Sequence, residues 1–552
     1  YAPGAKAPGF ATMISRIAAD SMGFLALPGS DADTDLNFTT ALSHVPYLSV
    51  AADGDLVYTG TVTPAPNIGY HWGGISGTLT LGRDASVGQN SVFFSNGGTV
   101  KIMGSQSYSG STTIRQVQIT TAQDQIASRS GSRGSPDLLS FATTVEVPGL
   151  ADGGAAGVFG TSTSAAANLV IDGGVVRVSS DSGTSTNRLF TIGVNGAQLE
   201  SSGNGAAVFA QEGGQIVTAG SGPRTLALSG SSSAANAIRG TLSNGANATT
   251  DLLSVHKTGS GTWVLNGNND YGGSTVVSEG QLFVNGDQSH ANGTYAASSA
   301  GTIGGSGILG GLTRILGGGT AAPGDGVGTL TVMGEVVLEA GGNLNWQIHD
   351  ATGLAGDGWD MLSVGNGIAV SATDTNPFLI NLWSLSAFDP NVTSGGAVNF
   401  NIGANYSWTI ASAAGGITGF AAEKFIVNVA AANGAKGFTN DLGGGTFSVV
   451  QNGNDLNLVF RSANPSTGIK INVQSGAETQ AQAGYPSITA ADSVTKTGAG
   501  TLVFDAANAY TGPTTISAGT LQLTDPDGLA GTTVTVDTGA MLAITSGTIM
   551  KS

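Results

Sequence analysis

No cysteine occurs among the 552 residues, so disulfides, zinc–thiolate sites and cysteine nucleophiles are excluded together, and stability has to come from packing and backbone ladders. Charge is scarce as well. Only 10% of residues are charged, and 19 Lys and Arg stand against 36 Asp and Glu, for a formal net charge of −17. A nucleic-acid partner needs clustered cations to neutralise phosphates. The longest basic pattern is Arg129 and Arg133 among Ser and Gly, which reads as a surface loop. No run of about 18 apolar residues is present, so no transmembrane helix is encoded. The first residue is Tyr, and neither a signal peptide's charged start and cleavage site nor a cell anchor is visible, which reads as a processed chain or the ordered part of a longer one.

What the chain has instead is glycine, 88 residues of it, together with 40% hydrophobic residues. A collagen-like polymer is excluded because no Gly-X-Y period exists and Pro numbers only 16. Disorder is disfavoured because Val, Ile, Leu and Phe recur throughout in alternating runs that can bury a core. Amphipathic helical patterns are nearly absent, so an elongated solenoid fits better than several globular domains.

An internal repeat supports this. Val255-His256-Lys257-Thr258-Gly259-Ser260-Gly261-Thr262-Trp263-Val264-Leu265 returns 239 residues later as Val494-Thr495-Lys496-Thr497-Gly498-Ala499-Gly500-Thr501-Leu502-Val503-Phe504. The register then holds without a gap through Tyr271 and Tyr510, Gly273 and Gly512, Thr275 and Thr514, Gly280 and Gly519, and Leu282 and Leu521. A weaker third copy runs from Gly98 through Lys101 to Tyr108, Gly110, Thr112 and Ile114, without the Lys-Thr-Gly start.

Each copy reads as short alternating strands separated by Gly/Asn turns, for example Thr262 to Leu265, Ser274 to Val277 and Gln281 to Val284. Three such strands make one coil, and stacked coils pair in parallel with every second side chain inward. At some 20 to 25 residues per coil and about 4.8 Å per ladder step, the chain would form a rod on the order of 100 Å long. The pattern predicts an all-β chain, a right-handed parallel β-helix or β-solenoid. Its segments are β-helix repeats over 1–121 and 168–374, with a Ser/Gly-rich excursion over 122–167. A compact, aromatic-richer β subdomain over 375–461 closes a module, with a short helix near Phe420 to Phe425. A linker follows over 462–493, then a restarted repeat over 494–552.

The series Lys496-Thr497-Gly498-Ala499-Gly500-Thr501-Leu502, Tyr510-Thr511-Gly512 and Ala518-Gly519-Thr520-Leu521 closely resembles the autotransporter-associated β-strand repeat. Ala322-Pro323-Gly324-Asp325-Gly326, with Asp360, Leu362 and Val364 beyond it, and Asn454-Asp455-Leu456-Asn457-Leu458-Val459-Phe460 are similar to passenger domains of the same kind. The clear motifs cover about a third of the chain. The resemblance implies a Gram-negative-type bacterium, secretion across its outer membrane, and display or release outside the cell. It does not choose a chemistry, because one scaffold serves adhesins, toxins and fibres.

Catalytic constellations are thin. Ser182 in Asp181-Ser182-Gly183 and Ser135 near Asp137 are the nearest to a serine nucleophile, and both sit where Ser/Gly composition alone produces such tripeptides. His44, His71, His256, His290 and His349 have no metal-ligand spacing. Asp31, Asp33 and Asp35 alternate as calcium ligands do, but Leu36 stands where an EF-hand needs Gly. Weak Ca²⁺ binding there, or at Asp525-Pro526-Asp527-Gly528, stays open beside the plainer reading of solvated acidic turns. Thr-x-Thr pairs at Thr78, Thr329 and Thr533 do not recur coil by coil, as an ice-binding ladder requires. The recurrent Tyr108, Tyr271 and Tyr510 read as turn packing in preference to a sugar platform.

The expectation is a non-enzymatic extracellular structural protein without a cofactor. It would be a surface fibre or filament subunit, sheath or adhesin stalk whose partners are copies of itself or continuing repeats of a longer chain. The alternative is a glycan-directed module, either a sugar-binding adhesin or a β-helical polysaccharide-degrading enzyme. Lys257, Gly259, Gly261, Tyr271, Gly273 and Gly280, with Lys496, Gly498, Gly500, Tyr510, Gly512 and Gly519, are expected to be structural residues of the repeat.

Overall fold

The computed structural model describes residues 16–545 except 22, 30–31, 53, 76, 121–137, 389–392, 464–467, 489–492 and 530. Ser135, Arg129, Arg133 and Asp31 lie outside the described residues. Among those described, regular structure is almost wholly short β-strands, with single 3₁₀ turns at Ala166–Asn168 and Ala422–Lys424. The helix expected near Phe420 to Phe425 is one such turn.

Contacts divide the chain into two compact units, residues 1–296 with 301–303, and residues 297–300 with 304–552. In the first, parallel ladders stack coil on coil. One runs Phe24–Leu27, Ser49–Ala52, Tyr70–Gly73, Val92–Phe94, Thr112–Arg115, Leu169–Asp172 and onward. A second passes through Leu56–Tyr58, Thr78–Leu81, Thr99–Ile102, Thr144–Val147, Val175–Val178, Ala197–Ser201, Arg224–Ser229 and Leu253–Lys257. The third takes in Thr184–Thr186, Ala207–Phe209, Asn236–Ile238 and Thr262–Leu265. The architecture is a parallel β-helix, as the turn spacing predicted.

Register follows from burial. Because side chains alternate across a strand, only one register keeps apolar residues inside every coil. The second ladder accordingly aligns Leu56, Leu79, Val100, Val145, Val176, Leu199 and Leu228 in a single inward column. Outward from it, Lys101, Glu146, Arg177 and Glu200 line up with alternating charge, at 2.7 Å, 3.8 Å and 2.8 Å. Such partly exposed pairs add only about 0.2–1 kcal/mol each.

Thr144–Val147, inside the segment read as an excursion, belongs to this ladder. Outside it, Val117–Thr120 pairs antiparallel with Leu138–Phe141. The acidic residues also have an unexpected use. Asp35, Asp55, Asp84, Asp152, Asp172 and Asp181 each accept the backbone N–H of a residue one coil on, namely Thr61, Thr78, Ser107, Asn187, Asn195 and Asn204, at 2.7–3.1 Å. Corners leave N–H groups that the ladders do not satisfy, and a carboxylate from the neighbouring coil supplies the acceptor.

In the second unit the strands Asn343–Ile348, Phe378–Ser384 and Phe425–Asn428 continue in parallel, so these parts of 375–461 belong to the stack. Asn345, Asn381 and Asn428 are in register there, and their amides donate one to the next at 3.1 Å. What departs from the stack is an antiparallel hairpin, Thr446–Asn452 with Asp455–Arg461, laid on Tyr406–Ala413. Phe400, Tyr406, Trp408, Phe438, Phe447 and Phe460 pack together beneath it, with ring centroids 5.0–6.4 Å apart. A smaller core then forms from Ile469, Ile471, Val473, Leu502, Phe504, Ile516 and Leu521. Its ladders already include Ile469–Asn472 and Ala477–Thr479, inside the segment read as a linker.

Candidate functional site

The repeat motif is where sequence and geometry are most specific. Lys257 continues the inward column, in register with Leu228 and Val277, and its side chain is fully buried. A lysine in an apolar column is costly unless its ammonium is hydrogen-bonded. Here Nζ donates to the carbonyls of Thr258 (2.7 Å), Gly259 (2.5 Å) and Glu279 (3.1 Å). Lys496, between Ile471 and Ile516, does the same with Thr497 (2.7 Å), Gly498 (2.8 Å) and Ala518 (3.1 Å). The ammonium thus ties a corner to the corner of the next coil. Burial pushes Lys257 down to about 8 and Lys496 in the same direction, the nearby carboxylates of Glu279 and Glu478 opposing it.

The glycines make these corners. Gly259, Gly280, Gly498 and Gly519 all have positive φ, between 66° and 78°. Strand Thr275–Val284 pairs with Val255–Lys257 before Gly280 and with Thr262–Leu265 after it, so that glycine turns one ladder into another. At Gly261, Gly273 and Gly500 a Cβ would run into neighbouring coils, and the Gly512 carbonyl accepts from Thr532 Oγ1 at 2.6 Å. Tyr271 and Tyr510 are buried with their hydroxyls on Thr275 (2.6 Å) and Thr514 (2.5 Å). Tyr108 makes the same bond to Thr112 at 2.5 Å. Burial pushes Tyr271 up to about 12, which fits an enclosed packing residue and leaves no face for a sugar.

Lys257→Met is expected to cost about 1–3 kcal/mol, since it keeps the apolar stem but leaves three corner carbonyls without their donor. Chemical unfolding of the variant measures this. An unchanged midpoint would mean that water serves those carbonyls equally well.

The catalytic candidates do not converge. Asp181 is spent on Asn204, and among the described residues no hydrogen bond joins Ser182 to a histidine. His256 Nε2 lies 3.1 Å from Ser278 Oγ, and that hydroxyl also lies 3.3 Å from the Lys257 carbonyl, with no carboxylate hydrogen-bonded to the imidazole among the described residues. Ser289 and His290 share an exposed turn at 3.2 Å, where Asp287 accepts from the Ser289 N–H and does not orient the imidazole as a triad acid does. His71 stacks on Phe93, and His349 bonds the Asp357 carbonyl. No group of three His, Asp or Glu converges among the described residues. Asp35 serves Thr61, and Asp525 accepts from the N–H of Asp527 at 2.9 Å.

Residues 255–282 and 494–523 match the passenger-associated-transport-repeat. Two segments of the chain carry this repeat. Both matches span the lysine, glycine and tyrosine corners just described. A 138-residue stretch, 25% of the chain, is 37% identical to "Adhesin BmaC autotransporter" of Brucella suis biovar 1 (strain 1330). Another of 94 residues, 17% of the chain, is 40% identical to "Extracellular serine protease" of Serratia marcescens. The chain spans 4% and 9% of those relatives' lengths. Two relatives, one named as an adhesin and one as a serine protease, therefore share stretches with this chain.

One buried acid was not singled out for chemistry from the sequence. Asp360 is 1% exposed, with its carboxylate accepting from the N–H groups of Gly328 (3.0 Å) and Gln347 (2.7 Å). Burial raises its carboxyl well above the ordinary 3.8, against the pull of those two bonds. The native chain then holds a proton where the unfolded chain has lost it, so unfolding releases a proton and stability falls as pH rises from about 4 through the folded value. Asp360→Asn is expected to flatten this slope. Urea midpoints taken between pH 4.5 and 7.5 measure it, and parallel slopes for wild type and variant would count against a protonated Asp360.

Proposed function

We propose that this chain is a non-enzymatic structural part of an extracellular bacterial protein, a β-helical stalk or fibre element that holds other features away from the cell surface. The observation that carries this reading is where the chemically active side chains go. Buried lysines cap corner carbonyls, aspartates bind the next coil's N–H groups, and tyrosines lock onto threonines. Groups that an enzyme would direct at a substrate are directed at the fold.

Its partners in this reading are further coils, whether copies of the chain or continuing repeats of a longer one, because an open parallel ladder is completed by another strand. No helix among the described residues is long and apolar enough to cross a membrane. The reading requires no cofactor. Negative-stain electron microscopy of purified native material, with a casein-hydrolysis assay on the same sample, tests it. Rods or ordered filaments without proteolysis are expected. Hydrolysis that tracks with the purified chain would overturn the reading.

A further inference from the structure

A cleft of about 290 Å³ opens in the second unit, between the hairpin face of the aromatic module and the first strands of the smaller core. One wall carries Thr409 and Asn457, directly paired in register, with the Thr409 hydroxyl on Asn457 Oδ1 at 2.9 Å. Opposite it lie Lys470 and Asn472, both exposed on the outward side of Ile469–Asn472. Asn452 Nδ2 reaches Glu478 Oε1 at 2.7 Å and links the two sides.

Arg461 gives the cleft its charge. Its guanidinium lies 3.7 Å over the ring of Tyr485 and donates to the carbonyls of Gly484 (2.8 Å), Ala483 (2.9 Å) and Phe460 (3.5 Å). Those bonds use three of the five N–H groups a guanidinium has. No carboxylate among the described residues lies within ion-pair distance of it. Two cations, Arg461 and Lys470, therefore line a cleft with one carboxylate, Glu478, which Asn452 already engages. This local excess stands out in a chain of net charge −17.

We propose that this cleft binds a carboxylate-bearing sugar, with the acid group against Arg461 and Lys470 and the ring hydroxyls against the side chains of Asn457, Asn472 and Thr409. A wall of amides and hydroxyls offers donors and acceptors at close spacing, which is what a hydroxyl-rich ring pairs with. Paired cations select an anionic ligand and use charge-assisted bonds, roughly twice as strong as neutral ones. The proposal goes beyond the stalk reading and does not depend on it, since a stalk with or without this cleft remains a stalk.

Glucuronate, glucose and acetate, each titrated into the whole chain and followed by ligand-observed NMR, provide the test. Glucuronate is expected to bind saturably, with both neutral glucose and ring-free acetate weaker by about tenfold or more. Lys470→Gln and Asn472→Ala, both on the exposed side of their strand, are each expected to weaken glucuronate, Lys470→Gln with no shift in the thermal midpoint and Asn472→Ala with only the small shift that loss of its exposed bond from Thr497 Oγ1 brings. Acetate binding as tightly as glucuronate would reduce the cleft to an anion site and overturn the sugar. Absence of saturable glucuronate binding, or binding that both variants leave intact, would overturn the cleft itself. Casein hydrolysis has no bearing on these outcomes, so the stalk reading and this one fail separately.

Discussion

Gly280→Ala is expected to destabilise the repeat by about 3–5 kcal/mol, far more than an ordinary surface substitution. Two costs add. With φ at +67°, an L side chain pays about 1–2 kcal/mol for the left-handed conformation. A Cβ there would also lie 2.5 Å from the Gly261 carbonyl oxygen and 2.6 Å from Lys257 Nζ, with the Gly259 oxygen closer still. Two of these three atoms are backbone of the adjacent coil and cannot move without opening the ladder. Gly519→Ala should behave alike, because Gly519 has φ +66° and the same crowding from Gly498 and Gly500. Gly213→Ala supplies the control, since Gly213 has φ +64° with nothing within 4 Å, so it carries only the conformational cost. Hydrogen exchange in Leu253–Lys257 and Gln281–Val284 reports the loss locally. Equal costs at Gly280 and Gly213 would show that the interlocking corners contribute nothing.

Why so much of this was visible in the sequence follows from the fold's one-dimensional character. In a solenoid, each coil contacts its neighbours, so a repeat of side chains is a repeat of environments. Lys257 and Lys496 recur with their glycines because one corner cannot close without the other. The fixed spacing of Tyr271 and Tyr510 pointed to packing, and their hydroxyls are indeed held on threonines inside.

Thr144–Val147 and Ile469–Asn472 were harder to see because four alternating residues between Gly- and Ser-rich stretches do not stand out from loop. Alternation from Leu253 and Val255 puts Lys257 on the inward face, but the carbonyls that accept from its ammonium are not visible in the sequence. The carboxylate bonds between coils join residues such as Asp172 and Asn195, which share a corner only once the stack exists. The cleft is of the same kind. Its residues run from Asn405 to Tyr485 in sequence and meet only because the hairpin Thr446–Arg461 folds back antiparallel onto Tyr406–Ala413.

The other large effect is expected at Trp346. Its ring is fully buried with Nε1 donating to the Asp360 carbonyl at 2.7 Å, and its centroid lies 6.0 Å from that of Trp408. Trp346→Ala removes the largest side chain of its strand, for about 3–5 kcal/mol. It also strips the donor from a buried carbonyl, for about 1–3 kcal/mol more. Trp346→Phe separates the two costs, since it keeps most of the ring volume and loses only the indole N–H. Trp408, whose Nε1 holds the Ala351 carbonyl at 2.9 Å, should couple to Trp346 by about 0.5–1.5 kcal/mol in a double-mutant cycle. The coupling matters because the two rings join the parallel coil at Asn343–Ile348 to the strand on which the antiparallel hairpin sits. Urea unfolding of the four species measures it. If the two alanine variants were additive, the ring contact would contribute nothing, and the hairpin's strand would be joined to the last parallel coils by its backbone pairing of Ala411–Ala413 with Leu362–Val364 instead.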